Sequence, residues 1–322
     1  MNKIIKIIFI NLFAILFLLV ASEAFFYFYS VKEYGDFVFT RNKMNNINDK
    51  TQNSNLSLKY NISYPTEFNY EEEKMSFRKP VGLEYKKNPI IIFGCSFAYG
   101  DGLSETDTVS YKLSKLTNRP VFNRAKNGWG PQHILYQLNL SEFYKEIPNA
   151  DYIIYIMIGE HEERMFRYQY QHPFNVLFLR YKLTKNGFEV IEPFCKPAWA
   201  LYTVNAIQEL YLQNYIMSSY RQKYNNYYYI QMMKEIYRLA KEHYPNVKFA
   251  ILNYRNIQKC FIDEYNIKDE LENIGYIVID TNDIISRSKL AQNEFKTIDN
   301  AHPNGKAWDE LLPGIVIKLN IK

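Results

Sequence analysis

Asn88-Pro89-Ile90-Ile91-Ile92-Phe93-Gly94-Cys95-Ser96-Phe97 is the stretch from which the organisation of the chain can be read. Its apolar residues are continuous rather than alternating, and the run stops at a glycine. That is the pattern of a strand covered on both faces, as in parallel sheets flanked by helices. On its C-terminal side, Thr108 to Leu116 reads as a helix with Asp107 as N-cap. Val121-Phe122-Asn123 is a short second strand, and Pro131 to Tyr144 a helix with proline in its first turn. Tyr152 to Ile158 is a third buried strand. Two helices, Leu201 to Arg221 and Tyr228 to His243, precede a fourth strand, Lys248 to Leu252. Tyr276 to Asp280 is the fifth strand, and Asn304 to Leu319 a closing helix. Strands alternating with helices predict an α/β fold of three αβα layers around a central parallel sheet. Ligands of such sheets bind beyond the carboxyl ends of the strands.

Composition limits what such a chain can do. Of 322 residues, 47% are hydrophobic and 23% charged, which excludes wholesale disorder. The net charge of +5 is mild and dispersed, so no nucleic-acid partner is expected. The three cysteines, Cys95, Cys195 and Cys260, form no CxxC pair, so neither a disulfide framework nor a zinc site is expected.

The N-terminus speaks about location. Ile4 to Ala21 is a nearly unbroken apolar run, interrupted by Lys6 and Asn11, and Phe25 to Tyr29 adds an aromatic belt. Eighteen residues of helix span about 27 Å, close to the ~30 Å of a hydrocarbon core. Lys3 and Lys6 lie on its N-terminal side, which puts the N-terminus in the cytoplasm and the remaining chain outside. The expectation is a single membrane-spanning anchor over residues 1–31, with the lipid bilayer as partner. Two other readings of the run are a cleaved signal peptide, with Val20-Ala21-Ser22 as its small-residue site, and a buried core helix.

Residues 32–84 read as an extracytoplasmic tether, rich in Asn, Lys and Ser between Asn42 and Asn61. Residues 85–322 hold the α/β domain, with an aromatic-rich insertion at about 165–245. Its first part, 165–200, shows no regular pattern.

Two places carry chemistry. Ser96 follows the first strand, in the turn entering a helix, where its hydroxyl can face solvent and backbone N–H groups can face an oxyanion. Helix capping is the other reading of a serine there. Asp299-Asn300-Ala301-His302-Pro303 precedes the last helix. An aspartate and a histidine three apart in a turn can face one another, the carboxylate fixing the imidazole tautomer and the free ring nitrogen acting as base. The alternative is a surface loop. A doubly wound sheet would bring both places to one edge. Lookalike motifs fail: Gly94-x-Ser96-x-Ala98 lacks the final glycine of a nucleophile elbow, no lysine follows for a P-loop, and Met165 stands where HExxH needs its second histidine.

These residues resemble the blocks of the SGNH (GDSL-type) hydrolase family. Phe93 to Gly102 (FGCSFAYGDG) is similar to a bacterial branch with a GCSF first block, Cys95 standing where the family most often has aspartate. Asn123 to Gln132 (NRAKNGWGPQ) resembles the second block, and Asp299-x-x-His302 with Pro303 the last. The third block departs: Gly159-Glu160-His161-Glu162 replaces Gly-x-Asn-Asp, with His161 at the asparagine position. The resemblance covers roughly residues 85–160 and 245–322. It implies a flavodoxin-like αβα fold with Ser96 as nucleophile, His302 as base and Asp299 as orienter. The N–H groups of Ser96 and Gly128, with a ring N–H of His161, would form the oxyanion hole. Arg164 and Trp129 are candidate substrate contacts, and His161 with Arg164 could instead bind an anionic group or play a structural part in satisfying a loop. No metal or other cofactor is implied. The expected function is a serine esterase removing acyl groups, acetyl above all, from a cell-envelope carbohydrate. An O-acyltransferase with the same triad, or a non-catalytic glycan-binding protein, are the alternatives.

Overall fold

The computed structural model describes residues 77–159, 161–165, 180–184, 187–191, 211–254, 267–286, 295–296 and 302–321, with helical residues 11–13, 16–18 and 20–21 near the N-terminus. Most of the apolar N-terminal run, and all of the tether to residue 76, lie outside the described residues. Among those described, no helix is long and apolar enough to cross a membrane.

Five strands form one parallel sheet. These are β1 (Ile90–Gly94), β2 (Val121–Asn123), β3 (Tyr152–Met157), β6 (Lys248–Asn253) and β7 (Ile277–Asp280), in the order β2-β1-β3-β6-β7. Two further strands among the described residues, β4 (Arg180–Thr184) and β5 (Gly187–Ile191), pair with each other, antiparallel. Without that hairpin the sheet has the doubly wound order of flavodoxin-like folds. β1 sits at the switch point, between β2 and β3, so the chain leaving β1 enters the crevice where such folds bind ligands.

Strand period assigns the two faces. Ile91 and Phe93 of β1, Ile153, Tyr155 and Met157 of β3, and Phe249 and Ile251 of β6 enter one core. It is closed by α3 (Pro131–Leu138), α4 (Ser141–Glu146), the C-terminal part of α6 (Tyr211–His243) and α7 (Lys268–Ile274). The alternate residues Ile90, Ile92, Ile154, Ile156, Ala250 and Leu252 enter the other core. There they meet α1 (Ser96–Tyr99), α2 (Val109–Thr117) and α9 (Gly305–Leu319), whose Leu311, Leu312 and Ile315 face the sheet. Each such side chain, fully buried, stabilises the fold by about 1.5–3 kcal/mol relative to exposure.

Several local expectations are corrected. Thr108, not Asp107, caps α2. Its extended backbone lets Oγ1 accept from Tyr111 N at 3.3 Å, while Asp107 ends a short 3-10 turn and accepts from Ser104 Oγ at 2.8 Å. The helix expected from Pro131 to Tyr144 is two helices. Asn139 Nδ2 donates back to Leu135 O at 2.9 Å, a local bond that competes with continuation of the helix. The helices expected at Leu201–Arg221 and Tyr228–His243 are one helix of 33 residues, because Gln222 to Tyr227 contains neither glycine nor proline to break it. Residues 201–210 lie outside the described residues. From Tyr228 onward the buried residues of α6 join the first core. The stretch 165–200, expected to be irregular, contains the β4–β5 hairpin, whose Tyr181 carbonyl accepts from the Tyr228 hydroxyl.

Candidate active site

Ser96 opens α1 directly after β1. Cys95, at the N-cap position, is fully buried in the core, and its carbonyl accepts from Ala98 N and Tyr99 N at 3.0 and 2.8 Å. This anchors the turn from below and leaves Ser96 half-buried at its rim. Gly94 makes the turn possible, with φ at +153° against the neighbouring strand.

His302 arrives from the other end of the chain. Its loop is pinned by a bridge between Lys296 and Pro303 and by Asn304, whose N–H donates to Phe295 O at 2.9 Å and whose Nδ2 donates to Lys296 O at 2.9 Å. Asn304 Oδ1 also accepts from Ala307 N at 3.1 Å, capping α9. The imidazole, half-buried, then lies with Nε2 2.8 Å from Ser96 Oγ, across 206 residues of sequence. Phe97 walls it on one side, ring centroids 4.9 Å apart. Tyr254 backs Phe97 at 5.5 Å, and Trp308 of α9 backs Tyr254 at 5.8 Å. Asp299 lies outside the described residues.

The loop after β2 runs beside the serine turn. Arg124 N donates to Ile92 O at 2.7 Å and Lys126 N to Gly94 O at 3.4 Å, extending the β1 contact toward Ser96. Asn127 Nδ2 donates to Asp101 Oδ2 at 3.0 Å, tying this loop to the end of the α1 segment. Lys126 O accepts from Trp129 N at 3.1 Å, closing a turn with Gly128 at φ +78°. The Gly128 N–H has no hydrogen-bond partner among the described residues.

His161 begins the short α5 (His161–Arg164) after β3 and is fully buried. Its Nδ1 meets the Tyr155 hydroxyl at 2.6 Å, while Nε2 has no partner among the described residues. Burial, reinforced by the charge of Arg164 and by His133, pushes its pKa well below the usual histidine range, so the ring is neutral. Trp129 and Arg164, the candidate substrate contacts, are both buried. Trp129 stacks on His133 at 4.7 Å and meets Phe77 edge-on at 5.5 Å. Arg164 Nη1 donates to Trp129 O at 3.0 Å, and Gln132 Nε2 donates to Arg164 O at 3.0 Å. Through these bonds Arg164 of α5 is tied to the chain at Trp129 and to Gln132.

Three participants escaped the sequence reading: Phe97, Asp101 and Tyr155. Tyr155 left a signal, since a hydroxyl inside a buried apolar strand must find a partner.

Fold and site together define a doubly wound α/β protein with a serine–histidine pair at the carboxyl edge of its sheet. No family model and no curated protein matches the sequence. Among solved structures, the chain is similar to a carbohydrate esterase family 2 enzyme with a carbohydrate-binding domain from Corynascus thermopiles (Myceliophthora fergusii), at 16% identity over 73% of this chain and 68% of that one, TM-score 0.41. It is similar to a lipase from a goat rumen metagenome, at 15% identity over 72% and 97% of the two chains, TM-score 0.44. A putative lipolytic protein of the G-D-S-L family from Desulfitobacterium hafniense DCB-2 is similar at 11% identity over 72% and 99%, TM-score 0.41.

Proposed function

We propose that this chain is a serine esterase of SGNH type, held to a membrane by its N-terminal apolar run and removing acyl groups, acetyl above all, from a cell-envelope carbohydrate outside the cytoplasm. The observation that carries the hydrolase reading is the 2.8 Å approach of Ser96 Oγ to His302 Nε2.

In this reading His302 takes the hydroxyl proton as Ser96 Oγ bonds to the ester carbonyl carbon. The carbonyl oxygen becomes an oxyanion, held by the N–H groups of Ser96 and Gly128 and by His161 Nε2–H. Collapse breaks the bond to the alcohol, which leaves with the proton from His302. Water, deprotonated by the same imidazole, then attacks the acyl-serine and releases the carboxylic acid. Asp299 is assigned to the other nitrogen of His302, orienting the ring. The unpartnered Gly128 N–H and the tight serine turn support this arrangement.

The location reading is supported by the apolar run Ile4 to Ala21 with Lys3 and Lys6 on its N-terminal side. The carbohydrate reading rests on that location and on the aromatic residues between 165 and 200. The full chain, purified in detergent, tests the chemistry: it should cleave p-nitrophenyl acetate while Ser96→Ala does not, and equal rates would remove the assignment. A reporter fused after residue 322 should signal outside the cytoplasm, and signal from the cytoplasm alone would overturn the orientation.

A further inference from the structure

β3 is apolar apart from two tyrosines. Tyr152 donates to Asn320 O at 3.1 Å. Tyr155 is fully buried, and its hydroxyl meets one atom among the described residues, His161 Nδ1 at 2.6 Å. The two rings lie nearly parallel, 12° apart in plane and 5.4 Å between centroids. The other ring nitrogen of His161 is buried with no partner among the described residues.

Counting protons decides which way the bond runs. A neutral imidazole carries one N–H. If Tyr155 donates to Nδ1, the ring proton is on Nε2, and that N–H is the single group left without a partner. If Nδ1–H donates to the tyrosine oxygen, the hydroxyl proton and the Nε2 lone pair are both left. Unsatisfied buried polar groups are costly, so the first arrangement is favoured. Burial above all keeps Tyr155 protonated, holding its pKa well above the usual tyrosine value.

An amide side chain always presents donor hydrogens, whereas an imidazole donates from one nitrogen only. A histidine standing where an amide would donate therefore needs a neighbour that fixes the tautomer. We propose that Tyr155 is that positioning residue: its hydroxyl holds His161 in the Nε2–H form, so that a neutral ring N–H is offered to the acyl oxygen of the substrate. This rests on the oxyanion role proposed for His161. Tyr155 is the register partner of Phe93, three residues before Ser96, and the His161 carbonyl lies 3.3 Å from where a Cβ on Gly130 would stand, beside the Gly128 turn.

The test uses the full chain in detergent, labelled with 15N-histidine, and long-range proton–nitrogen spectra of the imidazoles. The His161 signals are assigned by their loss in His161→Asn. The wild type should show His161 as the Nε2–H tautomer. Tyr155→Phe, which keeps the stacked ring, should populate the Nδ1–H form and lower kcat on p-nitrophenyl acetate about tenfold or more with KM little changed. The double variant should be no slower than His161→Asn alone, because an amide has no tautomer to set. An Nδ1–H wild type, or a tautomer unmoved in Tyr155→Phe, overturns the proposal. Should Tyr155→Phe fail to fold, the wild-type spectrum decides. Failure of the hydrolase reading shows separately, as equal rates for wild type and Ser96→Ala, and the tautomer still decides the role of Tyr155.

Discussion

Gly94 and Ile156 are register partners at the carboxyl edge of the sheet, and a Cβ on Gly94 would stand 2.9 Å from the Ile156 carbonyl oxygen and 2.6 Å from the Ala98 Cβ. Both neighbours are fixed by strand and helix. Gly94→Ala should therefore destabilise the fold by about 1–3 kcal/mol, read from urea unfolding, through strain at φ +153° as well as the clash. It should also lower kcat, because relief of the clash moves the turn that carries Ser96. A variant as stable and as fast as wild type would show that the turn is not tight.

Phe97 lies against the imidazole of His302 and is itself backed by Tyr254 and Trp308. Phe97→Leu keeps most of the apolar volume but loses the flat wall. A base freed to swing loses alignment, and misplacement of about 1 Å costs on the order of 10²-fold in rate. We expect kcat to drop about tenfold to a hundredfold while the melting temperature falls by a few degrees only. Loss of stability with an unchanged kcat would make Phe97 a packing residue alone.

Stability should depend on pH through His161. Burial first, then Arg164 and His133, hold its folded pKa well below the unfolded value, which is about 6.5. The folded state thus refuses a proton that the unfolded chain accepts. The stability is complete above about pH 6.5 and is lost progressively as pH falls from there toward the depressed folded pKa. Denaturation midpoints should fall across that window in wild type and fall less in His161→Asn. Identical pH dependence in the two proteins would contradict a buried neutral His161.

β1, β3 and β6 were legible because burial on both faces leaves continuous apolar runs. Helix limits were less so. Asn139 ends α3 through a side-chain bond that no periodicity reveals, and α6 runs through the break expected between Arg221 and Tyr228. The approach of Ser96 and His302 could be anticipated from strand order, since both follow from one edge of a doubly wound sheet. The burial of Trp129 and Arg164 could not. Their burial depends on Phe77, His133 and Gln132, which converge only in three dimensions.

The central claim is that Ser96 is a nucleophile activated by His302. Its most direct measurement is covalent labelling of the full chain by a fluorophosphonate, read by intact mass and peptide mapping. The account predicts one adduct, on Ser96, lost in Ser96→Ala and strongly slowed in His302→Ala. Absence of labelling on the folded wild type, or an adduct on another residue with Ser96 untouched, would contradict it.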